Sequence, residues 1–145
     1  MLSIAALTLA ALFSGAAVYI LLAEHPARSR IAPEAQLVQW KSSYAHGAVM
    51  QASLAVLAGL AGIAVWVRWS DLLFLAGCLV MLGAVAYTFA VMWQLNSRLK
   101  GTPPEAAGTE TVTMLGRWGR LHAGRTLIGL AGTAIYAAAL YRAMS

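Results

Sequence analysis

Long apolar runs alternate with short polar breaks along this chain. Leu2–Ala23 holds no charged residue, and Tyr44–Val67 holds only His46 and Gln51 as strongly polar positions. Leu72–Leu95 holds only Gln94, and His122–Tyr141 only His122 and Arg125. Roughly 20 apolar residues cross the hydrocarbon core of a bilayer as a helix. The pattern therefore predicts four transmembrane helices, over about 2–23, 44–67, 72–95 and 118–142. With these spans and their connections the chain is filled, so a single all-α membrane domain, an antiparallel four-helix bundle, is expected. The first run is expected to be retained. A signal peptide opens on basic residues and has a shorter apolar core, whereas no Lys or Arg precedes Arg28 here.

The connections add detail. Pro26 is expected to end the first helix. "APEAQLVQW" then predicts a short surface helix between helices one and two, with Pro33 in its first turn and Leu37 and Trp40 on one face. Trp40, Lys41 and Tyr44 suit a membrane–water interface. "RWSD" predicts a tight turn, making helices two and three a hairpin. Thr102 is expected to cap a helix that opens with Pro103 and runs through "VTMLGRWGRLHAGR" into the fourth span. Repeated glycines and alanines predict close helix packing rather than a wide channel.

Composition and charge agree with a membrane protein. Hydrophobic residues make up 61% of the chain and charged residues 10%. Most of the basic residues fall in the first and third connections or just beyond them: Arg28, Arg30, Lys41, Arg98, Lys100, Arg117, Arg120 and Arg125. Only Arg68 and Arg142 lie at the other end. The positive-inside rule then places residues 24–43 and 96–117 in the cytoplasm and both termini outside. The net charge of +5 reads as orientation and contact with anionic lipid, not nucleic-acid binding. The one cysteine, Cys78, offers no thiol pair for electron transfer to quinones and reads as a small buried residue. The first three spans carry no acidic residue in their interiors, which disfavours a proton-coupled exporter.

Polar residues converge at one depth. Glu24 and His25 end helix one, His46 and Gln51 begin helix two, Trp93, Gln94, Asn96 and Arg98 end helix three, and Trp118, His122 and Arg125 begin helix four. Trp118, His122, Arg125, Gly129, Gly132 and Tyr136 recur at helical spacing, a stripe that faces the bundle. An arginine at that depth needs a partner. Glu24 is the expected one, with Asn96 or Gln51 filling the remaining hydrogen bonds. A Glu24–Arg125 pair either belongs to a site or only ties helices one and four together. His25, His122 and Glu24 also compose a two-histidine, one-carboxylate metal set, the alternative to a site without a cofactor.

"EHPAR" (24–28), "WKSSY" (40–44), "MQA" (50–52), "NSRL" (96–99) and above all "RWGRLHAGRTLIG" (117–129) resemble the anthrone oxygenase-like family of small four-helix membrane proteins. The resemblance covers nearly the whole chain. Its most specific element is Trp–x–x–x–His–x–x–Arg, at Trp118, His122 and Arg125. The "EHPAR" element resembles a bacterial branch in which a basic pair precedes the equivalent of Gly47; Ala45–His46 stands there, so no shared role is carried to His46. Characterised members convert anthrones to anthraquinones with molecular oxygen. The resemblance implies an oxidoreductase acting on an apolar anthrone- or quinol-type substrate. His122 would be the base, Arg125 the oxyanion partner, Glu24 and Asn96 their supports, and Trp93, Trp118, Gln51 and Tyr44 the substrate-binding groups. Expected partners are membrane lipid and the apolar substrate, with self-association left open. Two other readings stand beside it: a metal- or cofactor-dependent membrane enzyme on Glu24, His25 and His122, and a non-catalytic small-molecule binder or subunit of a complex.

Overall fold

Each apolar run folds as one long helix in the computed structural model, which describes residues 1–144. The helices are α1 (Leu2–Arg28), α2 (Pro33–Trp69), α3 (Leu72–Gly101) and α4 (Thr109–Met144). All four are long and apolar enough to cross a membrane, and the protein is an integral membrane protein. Consecutive helices are neighbours, and α4 closes the ring against α1.

Several boundaries differ from those the sequence predicts, each for a local reason. Pro26 does not end α1. The turn before it, Ile20–Glu24, widens to a π-helix, and the chain continues helically to Arg28. Proline lacks an N–H, and its ring collides with the carbonyl four residues back. A widened turn relieves both problems without breaking the helix. The expected surface helix is helical and begins at Pro33, but it is the first part of α2 and not a separate element. No proline or glycine interrupts it before Gly47. At about 1.5 Å per residue, a helix of 37 residues exceeds the roughly 30 Å hydrocarbon core, so one end projects. Thr102 closes α3 and does not open α4: its hydroxyl and its N–H both donate to the Arg98 carbonyl, at 2.9 and 3.1 Å. A 3₁₀ turn at Pro104–Ala106 follows, and α4 starts at Thr109.

The hairpin turn forms as expected. Ser70 takes a left-handed conformation (φ 56°) and Asp71 caps α3 by accepting from the Leu73 N–H at 2.9 Å. Arg142 pairs with Asp71 at 2.8 Å, joining the end of α4 to this turn.

Packing divides into two layers. In the first, small residues admit large side chains from the facing helix. The Tyr136 ring of α4 lies against Gly62 of α2 and Gly77 of α3, where no Cβ would fit. Its hydroxyl donates to the Ala58 carbonyl at 3.0 Å, and its ring stacks on Phe74. Phe13 of α1 meets Gly129, and Ser14 bonds Thr133 at 2.8 Å. The second layer joins the projecting ends through Leu37, Trp40, Met92, Leu95, Leu99, Leu115 and Trp118. Trp40 is wholly buried there, not at an interface as expected, because it packs edge-on to Trp118.

Gly77→Leu forces a branched side chain into the rigid Tyr136 ring. It should destabilise the bundle by about 1–3 kcal/mol, the usual cost of overpacking. Gly83→Ala adds a methyl where nothing lies within 4 Å and should hold stability or raise it by up to about 1 kcal/mol, the helix-interior cost of glycine. Thermal unfolding of both variants in detergent checks this.

Candidate functional site

Where the two layers meet, all four helices bring polar groups around one cavity. Ile20 and Glu24 come from α1, and Trp40, Tyr44 and Gln51 from α2. Thr88, Met92 and Asn96 come from α3, and Trp118, His122 and Arg125 from α4. The cavity is small, about 30 Å³. A larger second cavity, about 120 Å³, adjoins it and shares Tyr44, Ala48, Gln51, Thr88 and Arg125 with the first.

Two π turns border the site. Ile20–Glu24 supplies both α1 lining residues, and Thr88–Met92 supplies two from α3. In the second, the Thr88 hydroxyl donates to the Ala84 carbonyl at 3.0 Å, competing with the helix's own donor. Short π segments in α-helices recur at functional sites.

His122 is 1% exposed and held by two contacts. Its ring stacks on Trp118 with centroids 5.0 Å apart and planes 8° from parallel. Its Nε2 lies 3.1 Å from the Ala17 carbonyl oxygen. A carbonyl only accepts, so Nε2 carries the proton, and in the neutral ring Nδ1 holds the lone pair. Nδ1 is buried without a protein partner. Trp118 is fixed in turn: its Nε1 donates to Asn96 Oδ1 at 3.0 Å.

The expected Glu24–Arg125 pair does not form. Glu24 pairs with Arg28, four residues on in the same helix, and also accepts from Gln39 Nε2 at 3.3 Å. Arg28, read from the sequence as a topology-setting surface charge, is 3% exposed. It donates to Glu24, Gln39 and Ser43 and lies 5.8 Å from the Trp118 ring. One turn of helix brings Arg28 to Glu24 with no interhelical reach, so it takes the carboxylate first. Arg125 keeps one long hydrogen bond, from Nη1 to Thr88 Oγ1 at 3.5 Å, and lies 5.6 Å from the Phe13 ring. Its Nε has no partner, and it has no carboxylate within ion-pair distance among the described residues.

The expected metal set is not assembled. Among the described residues no three His, Cys, Asp or Glu side chains form a group able to hold a metal ion. Glu24 turns to Arg28, His25 packs over Gly119, and the His122 Nε2 proton is committed to Ala17. His46 is exposed and bonds its own helix at Ser42.

Trp93 does not wall the first cavity with Trp118. It is 52% exposed, stacks on Phe89 and lines the second cavity. The other expected residues, Glu24, Tyr44, Gln51, Asn96, Trp118, His122 and Arg125, all line the first. Tyr44 stacks on Trp40 with centroids 4.8 Å apart. Thr88, Trp40 and the Arg28–Gln39–Ser43 group are additions from the structure. Arg28 carried a sequence signal, since it lies one helical turn from Glu24. Thr88 carried none.

The cavity wall holds a surplus of hydrogen-bonding capacity. Gln51 is 1% exposed with neither Nε2 nor Oε1 partnered. Asn96 Nδ2, Trp40 Nε1, His122 Nδ1 and Arg125 Nε are in the same state. Buried polar groups are normally satisfied, so this many around one space mark where water or a ligand's polar groups belong. The arrangement offers a base (His122 Nδ1), a cation without a counter-ion (Arg125) and a neighbouring apolar chamber.

The family model described as anthrone oxygenase matches residues 40–135, a stretch that includes Trp40, Tyr44, Gln51, Thr88, Asn96, Trp118, His122 and Arg125. No curated protein and no solved structure matches the chain. Because the matched stretch covers most of the sequence and three of the four cavity-forming helices, the chain belongs to the anthrone oxygenase family.

Proposed function

We propose that the protein is a membrane oxygenase that uses O2 to oxidise an apolar anthrone- or quinol-type aromatic. The observation that carries this reading is the pairing of His122 Nδ1, a buried lone pair without a partner, with Arg125, a guanidinium without a carboxylate, on one cavity wall.

The chemistry follows from those two groups. An anthrone's central CH2 is acidified by the ring ketone across from it. His122 Nδ1 takes one of its protons, and the electron pair delocalises onto the ketone oxygen. Arg125 stabilises that enolate oxygen, and its lack of a counter-ion leaves its positive charge available. The electron-rich ring then reduces O2 and binds it as a hydroperoxide at the former CH2 carbon. Loss of water, with the O–O bond breaking and the second C–H proton leaving, gives the second ketone. Anthrone and O2 thus become anthraquinone and H2O, with no further reductant. The Ala17 carbonyl holds the His122 tautomer that leaves Nδ1 basic. Trp118 holds the ring plane, and Asn96 holds Trp118. Glu24 supports this assembly by neutralising Arg28 beneath Trp118. Tyr44 and Gln51 serve substrate binding from α2, and Trp93 does so from the second cavity.

The polar end faces the cytoplasm of a bacterial inner membrane in this reading, since Lys41, Lys100, Arg117 and Arg120 gather there. Membrane lipid and the apolar substrate are its partners.

Three measurements test these proposals. His122→Gln retains an amide donor near Nε2 for the Ala17 carbonyl but has no basic nitrogen. Oxygen uptake with anthrone should fall by about 10²–10⁴-fold, the usual worth of a general base, with thermal stability little changed. An unchanged rate would remove His122 from the reaction. Arg125→Leu should lower the same rate by about 10²–10³-fold while stability holds or rises, because it removes a buried charge that has no ion-pair partner. A rate that survives while the unfolding temperature drops would make Arg125 a structural residue. For sidedness, Cys78 is buried, so a cysteine placed at Ser29 or at Ser70 reports alone. Membrane-impermeant maleimide on intact cells should label Ser70→Cys and spare Ser29→Cys; the reverse pattern inverts the topology.

A further inference from the structure

The second cavity lies along the seam between α2 and α3. Its floor is buried: Phe13, Gln51 and Ala84, with Arg125 at the back. Its rim is exposed: Ala52 of α2 and, on α3, Phe89 at 61% and Trp93 at 52% exposure. These rim residues lie on helices long and apolar enough to cross a membrane, and their exposed apolar faces suit lipid. Lys100 Nζ lies 5.5 Å from the Trp93 ring, an ammonium on an aromatic that marks the nearby membrane surface.

We propose that this seam is a lateral portal through which the ligand reaches the site directly from the bilayer. The inference rests on the oxygenase reading for what the ligand becomes, but on the cavity geometry alone for how it arrives. The chamber selects a flat, apolar molecule that bears oxygen on one edge. Its hydrocarbon face lies against Phe13, Ala84 and Val85 while its oxygen-bearing edge reaches Gln51 and Arg125. Gln51 offers both a donor and an acceptor that no protein group uses, so it discriminates for ligands whose polar edge carries a carbonyl or hydroxyl. A purely hydrocarbon ring system leaves Gln51 and Arg125 unsatisfied and is rejected. Phe89 and Trp93, stacked with ring centroids 5.6 Å apart, form the outer doorpost against which the ligand slides inward.

The test uses the full chain reconstituted in phosphatidylcholine vesicles that contain 9,10-anthraquinone. Arrival of the quinone is read by stopped flow as quenching of the protein's own tryptophan fluorescence. Ala52→Leu narrows the portal rim without touching His122 or Arg125, and Ser53→Leu places the same bulk one position along, off the cavity. Ala52→Leu should slow quenching at least tenfold and Ser53→Leu should not. Anthracene, which has the same shape without oxygen, should bind the native protein at least tenfold more weakly than anthraquinone, and Gln51→Leu should narrow that gap. Equal quenching rates in Ala52→Leu and the native protein overturn the portal, as does equal slowing by the two leucines. If anthrone oxidation persists while the rates are equal, the portal fails and the oxygenase reading stands. If portal-dependent quenching occurs but anthrone consumes no oxygen, the oxygenase reading fails and the portal stands.

Discussion

One carboxylate and two guanidiniums meet at the polar end of this bundle, and the site depends on which arginine wins. Glu24 is the only acidic residue at that depth. Arg28 is on the same helix one turn away, and it takes Glu24 together with Gln39 and Ser43. An isolated charge in apolar surroundings costs several kcal/mol after relaxation, roughly, so the pairing decides which arginine bears that cost. Arg28 is neutralised and becomes a floor beneath Trp118. Arg125 retains a net positive charge between two cavities, softened only by Thr88 and the face of Phe13. Had Glu24 bridged to Arg125, α1 and α4 would be tied by a closed ion pair with little left to act on a ligand.

The two π turns make that outcome geometrically available. Pro26 obliges the turn before it to widen, and that turn ends on Glu24. Widening rotates the following residues, so Glu24 and Arg28 face Gln39 and Ser43 of α2 while His25 fits over Gly119 of α4. On α3 the widened turn begins at Thr88, whose side chain serves both its own helix and Arg125. The irregular backbone is thus confined to the depth where polar side chains are needed. Below it the packing of Tyr136, Phe13 and Met81 against glycines is regular and dry.

The depth of the site was legible in the sequence because span boundaries fix depth and a helix fixes angular position. Trp118, His122, Gly129, Gly132 and Tyr136 are all buried, as their spacing predicts. What depth and angle do not give is partner choice. Glu24 has two arginines to choose between, and the one a single turn away on its own helix, Arg28, takes it. Trp40 was misread because an aromatic beside a lysine also fits an interface. It is buried because α2 and α4 both overrun the membrane and cover each other. Trp93 lies on the rim of the second cavity, while its neighbour Met92 takes the interior position at the end of the π turn.

The seams of the bundle differ in how they are closed, and this gives the cavity pair its direction. Between α1 and α4, Phe13 fills the space over Gly129 and Ser14 bonds Thr133. Between α3 and α4, Met81 fills the space over Gly132. The α2–α3 seam is closed only at its far end, where Leu82 meets Gly59 and Tyr136 wedges against Gly62 and Gly77. Towards the polar end its α2 residues are the small Ala48 and Ala52, which line the second cavity. Close contact through small residues is the main cohesion between helices in lipid. Where small residues face no partner they leave room instead. That room lies beside Arg125 and Gln51, so the open stretch of the α2–α3 seam and unpartnered polar groups coincide.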